Sequence, residues 1–112
     1  MPAVDVVQRQ LDAYNARDLA AFVAAYSDSV QVFRMPATRP AITSKAQLAE
    51  FYATHRFNVP GLHAELVNRM VVGHKVVDHE HIRGLSDAVI EAVAVYQVID
   101  ELIANVWFFS PD

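Results

Sequence analysis

The sequence contains no cysteine. This absence excludes disulfides, thiolate metal sites and cysteine nucleophiles. With three glycines and five prolines in 112 residues, the chain also has no linker, repeat or low-complexity tract that would divide it. Because a chain of this length forms one ordinary domain with a real core, we expect a single domain over residues 1–112.

Basic residues are few as well. There are 9 Lys and Arg residues against 13 Asp and Glu residues, and the net charge is -4 at pH 7, so the chain lacks the positive charge that nucleic-acid binding requires. No segment approaches the roughly 20 apolar residues of a membrane span, and the N-terminus has neither the basic start nor the apolar run of a secretory leader. We therefore expect a cytoplasmic protein that binds neither nucleic acid nor membrane.

Apolar residues, by contrast, are abundant. They make up 54% of the chain, which is more than a small monomer usually needs to hide from water. Such a surplus favours a ligand cavity, an oligomer interface, or both.

The first half of the chain has the pattern of two helices, a strand and a third helix. Apolar residues recur at helical spacing in two stretches, which are Val4, Val7, Leu11 and Tyr14 and, after the N-cap candidate Asp18, Leu19, Phe22, Val23 and Tyr26. Residues 30–35 have β-strand composition and stop at Pro36. Residues 44–47 fit a capping box for a third helix, which should end before Pro60.

The second half changes to a period of two. Four β-rich runs are separated by short turns and cover residues 63–72, 75–83, 88–99 and 102–109. Consecutive strands with short turns predict an antiparallel meander, and the element order ααβαββββ is α+β. We expect one curved sheet wrapped around three helices, with a conical pocket lined by aromatic side chains between them.

The run from Lys75 to Arg83, called the charged strand below, concentrates the ionisable groups. Because successive side chains of a strand point to opposite faces, Asp78 and Glu80 share one face while His79 and His81 share the other. If either face lines a closed cavity, its groups lie in a low-dielectric site where pKa values move and proton transfer becomes practicable.

Two interpretations of the charged strand compete. In the catalytic one, Asp78 or Glu80 acts as a general base, or His79 acts as an acid and base. In the structural one, one face meets water or a partner while the other forms satisfied ion pairs, with Arg69 on the adjoining strand as the candidate partner, because structural networks also produce charge clusters.

A metal site on this strand is a third interpretation. His79 and His81 have the spacing of two ligands on one strand face, with His63 or His55 as a conceivable third. Arg83 on the same face opposes a cation, and the sequence fixes no third ligand. The sequence therefore predicts no metal and no organic cofactor.

Several short motifs resemble a known family when taken together and in order. They are VVQR (6–9), YNARDL (14–19), YSDSV (26–30), EFYA (50–53) and IANVWF (103–108). The chain resembles the SnoaL-like and ketosteroid-isomerase-like branch of the nuclear transport factor 2 superfamily. This resemblance implies a cystatin-like cone, with three N-terminal helices in the concave face of a strongly curved, mainly antiparallel sheet. The superfold hosts isomerases, epoxide hydrolases, polyketide cyclases and non-catalytic binders, so function must be argued from the site.

The chain departs from the catalytic sets that the resemblance implies. Ketosteroid isomerases use an aspartate base and an oxyanion hole of tyrosine and protonated aspartic acid. Aligned from residues 6–9, those positions fall on Arg34 or Met35, on Gln10 and near Ala94. The late aspartate of the superfamily's epoxide hydrolases is an apolar residue near Phe108. Neither a guanidinium nor a thioether can serve as the base, so neither classical mechanism is expected.

We expect six side chains to bind a ligand in the pocket, namely Tyr14, Tyr26, Arg34, Tyr52, His55 and Trp107. Tyr26 and Tyr52 match positions that carry cavity tyrosines in some relatives. Arg34 could bind an anionic or carbonyl group at the pocket mouth or could lie in solvent, and His55 could touch ligand or be a hydrogen-bonded core residue.

The last predicted strand is apolar on both faces, since Trp107 alternates with its apolar neighbours. One face should pack on the helices and the other should meet a second subunit. We therefore expect a homodimer through the sheet.

Two functions remain open at the level of sequence. The first is an enzyme without a cofactor that moves a proton on a small, largely apolar carbonyl or cyclic substrate. The second is a non-catalytic module that binds a small apolar molecule or a partner through the same cavity.

Overall fold

The computed structural model describes residues 2–111, which follow the predicted order ααβαββββ. The helices and strands are α1 (Ala3–Ala16), α2 (Leu19–Ala24), β1 (Tyr26–Arg34), α3 (Lys45–His55), β2 (His63–Val72), β3 (Lys75–Arg83), β4 (Ile90–Ile99) and β5 (Leu102–Phe109). The charged strand is therefore β3, and the α+β fold class is confirmed.

The starts of α2 and α3 are set by side-chain caps, as the sequence predicted. The Asp18 carboxylate accepts a hydrogen bond from the Ala21 backbone N–H at 3.1 Å, and the Ser44 hydroxyl accepts one from the Gln47 N–H at 3.1 Å. Each cap satisfies a backbone donor that has no partner within its helix.

Several element boundaries differ from the sequence-based expectation, among them those of β1, which covers Tyr26–Arg34 and not residues 30–35. Helix α2 ends at Ala24, so Tyr26 begins β1 instead of completing a helical stripe. Helix α3 ends at His55, five residues before Pro60. Strand β4 begins at Ile90 and not at residue 88.

One five-stranded sheet carries the fold, in the order β1-β5-β4-β3-β2. Neighbouring strands are antiparallel except for the β1 and β5 pair, which is parallel. Helix α1 packs against β2, β3, β4 and β5. We call the sheet face toward the helices the inner face and the opposite one the outer face.

The core lies between the inner face and the helices. Its side chains include Val6, Phe22 and Leu48 from the helices and Val76 and Val106 from the strands, all almost fully buried. An aromatic cluster joins the two layers, since the ring centroids of Phe22 lie 4.5 Å from Tyr52 and 5.1 Å from Tyr26. Among residues 2–111, no helix has the length and apolar content that crossing a membrane would need.

Candidate functional site

The charged strand turns its carboxylates inward and its histidines outward. Asp78 is 0% exposed and Glu80 is 5% exposed, whereas the side chains of His79 and His81 are each 35% exposed on the outer face. The expectation that His79 acts as an acid and base in the pocket is therefore corrected, because the alternation of the strand puts it on the other side of the sheet. The inner face is the one that can hold a buried site.

Asp78 is held in an ion pair with the neighbouring strand. Arg69 donates from Nε to Asp78 Oδ1 at 2.7 Å and from Nη2 to Oδ2 at 2.9 Å, and its Nη1 donates to Gln8 at 2.7 Å. This is the partner that the structural interpretation named. Because both oxygens accept bonds from Arg69 in a two-pronged arrangement, the contacts of Asp78 match the structural interpretation of this residue.

A cavity of about 230 Å³ opens between the inner face and the helices. Its polar lining residues are Gln10, Tyr14, Arg34, Tyr52, Arg56, Glu80 and Tyr96. Apolar side chains, including Leu11, Ile82, Leu85, Ala92 and Phe108, complete the wall. Few polar groups in an apolar concavity are the usual composition of a small-molecule site.

Glu80 is the acidic group in this cavity whose pKa is strongly raised. Burial raises the pKa of Glu80 to about 7, the negative charge of Asp78 raises it further, and Arg69 partly counteracts both. Among residues 2–111, no group donates a hydrogen bond to the Glu80 carboxylate. A buried carboxyl without donors that titrates near neutrality can exchange a proton with a bound molecule.

Three tyrosine side chains share the cavity with Glu80. Burial is the largest cause that raises the pKa of Tyr14, Tyr52 and Tyr96, and the charge of Glu80 acts in the same direction on each. Their hydroxyls therefore stay protonated near neutral pH and lie within electrostatic range of Glu80. A neutral tyrosine can donate a hydrogen bond to a ligand oxygen.

Two arginines stand at the cavity. The guanidinium carbon of Arg34 lies 5.3 Å from the ring centroid of Phe51 and 5.4 Å from that of Phe108, and that of Arg56 lies 5.0 Å from Phe51. Within residues 2–111 neither guanidinium pairs with a carboxylate. Stacked on aromatic rings and without a counter-ion, both can meet an anionic group on a ligand.

Gln10 adds an unsatisfied acceptor to the same wall. The residue is 5% exposed, and its Oε1 is buried without a hydrogen-bond partner among the residues described. A buried polar atom left unpaired is costly, so Gln10 is an uncompensated polar group in an otherwise largely apolar wall.

Three of the six side chains that were expected to bind a ligand line the cavity, and three do not. Tyr14, Arg34 and Tyr52 line the cavity. Tyr26 lies in the aromatic core against Phe22. His55 borders a separate shallow depression beside Phe51. Trp107 stacks on Phe33 on the outer face, with ring centroids 6.0 Å apart. The expectation for these last three does not hold for this cavity, because packing or strand alternation directs each side chain elsewhere.

Gln10, Arg56 and Tyr96 were not expected as ligand contacts. Gln10 has a visible signal, because it interrupts the apolar stripe of α1 between Val7 and Leu11. Tyr96 follows the inward positions of β4 by alternation, but the inward face could not be chosen from sequence. Arg56 lies just after α3, where no local pattern fixes its direction.

The family implied by the sequence motifs is supported by direct comparison. The profile of the SnoaL-like domain matches residues 7–106. A comparison with curated proteins finds no significant match.

Solved structures share the fold over nearly the whole chain. An uncharacterised cystatin-fold protein from Novosphingobium aromaticivorans has a TM-score of 0.86 and 23% identity, covering 96% of this chain and 97% of its own. A candidate ketosteroid isomerase from Kribbella flavida has a TM-score of 0.83 and 22% identity, covering 98% and 78%. An epoxide hydrolase from Mycobacterium tuberculosis, described as LEH-like, has a TM-score of 0.82 and 17% identity, covering 97% and 82%. At these identities the likeness is one of fold.

Most of the positions that the resemblance assigned to catalytic groups lie in the wall of the cavity. Gln10, Arg34 and Phe108, which stand where the resemblance placed catalytic groups, all line the wall. Ala94, the fourth of these positions, is fully buried and is not among the lining residues.

Proposed function

The chain belongs to the SnoaL-like domain family, and we propose that it is a cofactor-independent enzyme that moves a proton on a small substrate in its cavity, with Glu80 as the general base. The observation that carries this proposal is the Glu80 carboxylate, which is buried, accepts no hydrogen bond from residues 2–111 and has its pKa raised to about 7. A general base is most effective when its pKa lies near the working pH.

The tyrosines supply the second component that such a reaction requires. When a proton leaves the carbon next to a carbonyl, negative charge develops on the carbonyl oxygen. Hydroxyl donors that already point into the site stabilise that charge without reorganisation. Tyr14, Tyr52 and Tyr96 are neutral donors that line the same cavity as Glu80, so a molecule bound there can meet the base and a donor together.

The proposed step is a proton shift through an enolate. Glu80 takes a proton from the carbon α to the carbonyl, the C–H electron pair moves into the new C=C bond, and the carbonyl oxygen becomes an enolate held by a tyrosine hydroxyl. The protonated Glu80 then returns its proton to the same or a conjugated carbon. Atoms and charge balance without a cofactor, and the outcome is exchange or isomerisation.

The lining also indicates the substrate class. The apolar wall accepts a hydrocarbon body, and Arg34 and Arg56 can bind a carboxylate at one end of it. The volume of about 230 Å³ is below the roughly 300–1,000 Å³ of sites for drug-sized ligands. We therefore propose a small cyclic or unsaturated keto acid and not a steroid.

Hydrogen–deuterium exchange tests the proposal without knowledge of the natural substrate. A panel of small β,γ-unsaturated ketones and keto acids is incubated with the protein in D₂O, and loss of the α-proton signal is followed by proton NMR. Glu80→Gln should lower the exchange rate of an active compound by about 10²–10⁴-fold. Glu65→Gln, on an exposed position of β2, should leave it unchanged.

The outcomes separate catalysis from binding alone. An unchanged exchange rate in folded Glu80→Gln would overturn the role of Glu80. If compounds bind, as shown by shifts of cavity resonances, but none exchanges above the solution rate, the protein is a binding module and the enzymatic proposal is wrong.

A further inference from the structure

A second cluster of chemically active side chains lies on the outer face, and one of its residues, Glu91, also borders the cavity. The cluster consists of His79 and His81 on β3 and Glu91 on β4. We propose that these three side chains form a binding site for a zinc ion, independent of the function proposed for the cavity. The sequence showed two of the three groups, but only the register of the sheet supplies the third.

The sheet places the three side chains on one patch. His79 and His81 are two residues apart, so alternation directs both outward, and His81 pairs directly with Glu91 across the β3 and β4 ladder. The two imidazole rings stand perpendicular, with centroids 5.5 Å apart. Both imidazole rings, which belong to β3, therefore lie next to the carboxylate of Glu91 on the neighbouring strand β4.

The distances between the donor atoms are those of a site that needs little adjustment. Glu91 Oε2 lies 2.6 Å from His79 Nε2 and 3.6 Å from His81 Nε2, and the donor atoms of all three residues lie within 4.8 Å of one another. Zinc bonds of about 2.0–2.2 Å in tetrahedral geometry place neighbouring donors roughly 3.3 Å apart. The distances from Glu91 Oε2 to the two histidine nitrogens, 2.6 and 3.6 Å, lie below and above that donor spacing.

The donor set favours zinc over harder cations. Two imidazole nitrogens and one carboxylate oxygen are ligands that zinc accepts, with the fourth position left to water, whereas magnesium and calcium prefer oxygen ligands alone.

The surrounding charges also fit a cation. Arg83 is the positive group that opposed a metal at the level of sequence, but its Nη2 lies 3.4 Å from Glu65 Oε1, which offsets its charge. The same Glu65 oxygen lies 4.0 Å from His81 Nδ1. When Nε2 of a histidine binds a metal, its other ring N–H commonly faces a carboxylate; Glu65 lies on that side of the His81 ring, at 4.0 Å and so beyond hydrogen-bond distance.

Calorimetric titration with ZnCl₂ tests the site on untagged, chelator-treated protein. The wild type should bind one zinc per chain. His79→Gln, His81→Gln and Glu91→Gln should each raise the dissociation constant at least tenfold. His74→Gln is the matched control, because His74 is an exposed histidine in the turn between β2 and β3, and its affinity should equal that of the wild type.

The imidazole resonances give a second readout that does not depend on stability. On addition of zinc, the ring signals of His79 and His81 should shift while those of His55 and His63 should not. Unsaturable binding, equal affinity in all variants, or half a zinc per chain would overturn the proposal. Circular dichroism confirms that each variant is folded, and loss of zinc binding need not alter the exchange reaction at Glu80.

Discussion

Asp78 and Glu80 lie two residues apart on the inner face of β3, yet their carboxylates have opposite surroundings. Asp78 accepts two hydrogen bonds from Arg69, whereas no group among residues 2–111 donates to Glu80. The negative charge of Asp78 helps to raise the pKa of Glu80. Asp78 thus has the contacts of a structural residue, whereas Glu80 can exchange a proton near neutral pH.

The raised pKa of Glu80 predicts how stability depends on pH. Between pH 4.5 and about 7 the unfolded chain releases the Glu80 proton while the folded protein retains it, so this contribution to stability is full below pH 4.5 and is lost as the pH rises through 7. The shift corresponds to at most about 3 kcal/mol. Urea unfolding across this range should show that loss in the wild type and not in Glu80→Gln. If the two proteins keep a constant difference from pH 4.5 to 8, the shift is absent.

The Arg69 and Asp78 pair predicts strong coupling between two substitutions. Either Arg69→Met or Asp78→Asn leaves one buried charge uncompensated and should lower the free energy of unfolding by about 3–5 kcal/mol. The double variant should lose clearly less than the sum of the two, because no isolated charge remains. Additive losses in urea unfolding would show that the two side chains do not interact in solution.

The two arginines at the cavity predict a preference for anionic ligands. Replacing both Arg34 and Arg56 by methionine keeps much of the packing on Phe51 but removes the charge-assisted hydrogen bonds. We expect KM for a keto acid to rise at least about tenfold, while KM for its methyl ester changes little. Arg39→Met, at an exposed loop position, is the control, and an equal change for acid and ester would contradict an anion-binding role.

The outer face predicts self-association. Phe33, Trp107, Val95, Val77 and Met70 are neighbours in register across the five strands and form an apolar row on a face that no helix covers. We expect a homodimer through this row, and Val95→Lys should yield a folded monomer. Sedimentation equilibrium at micromolar concentration measures this, and a monomeric wild type would remove the expectation.

The order of helices and strands could be predicted because each element carries its own period. The capping residues Asp18 and Ser44 and the change from helical spacing to alternation are local signals, and local signals were sufficient for the fold. Tyr26 was misplaced because its spacing from Phe22 continues a helical stripe by coincidence, while the chain leaves the helix at Ala24.

The site was less predictable, because it depends on which face of β3 is inside. Both faces mix apolar and charged residues, so the pattern of β3 alone does not decide. The register with β4 shows which face of β3 points inward. Asp78 and Glu80 lie beside the small residues Ala94 and Ala92 of that strand. The same register brings Glu91 beside His81, a pairing that no local pattern reveals.

The most direct test of the account is the titration of Glu80 itself. Carbon-13 NMR of the glutamate side-chain carboxyls, recorded from pH 4 to 9, gives one curve per residue, and the signal missing in Glu80→Gln assigns the curve of interest. We expect that signal to titrate with a midpoint near 7. A midpoint near 4.5, the ordinary value for glutamate, would contradict a buried carboxyl that serves as the base in this cavity.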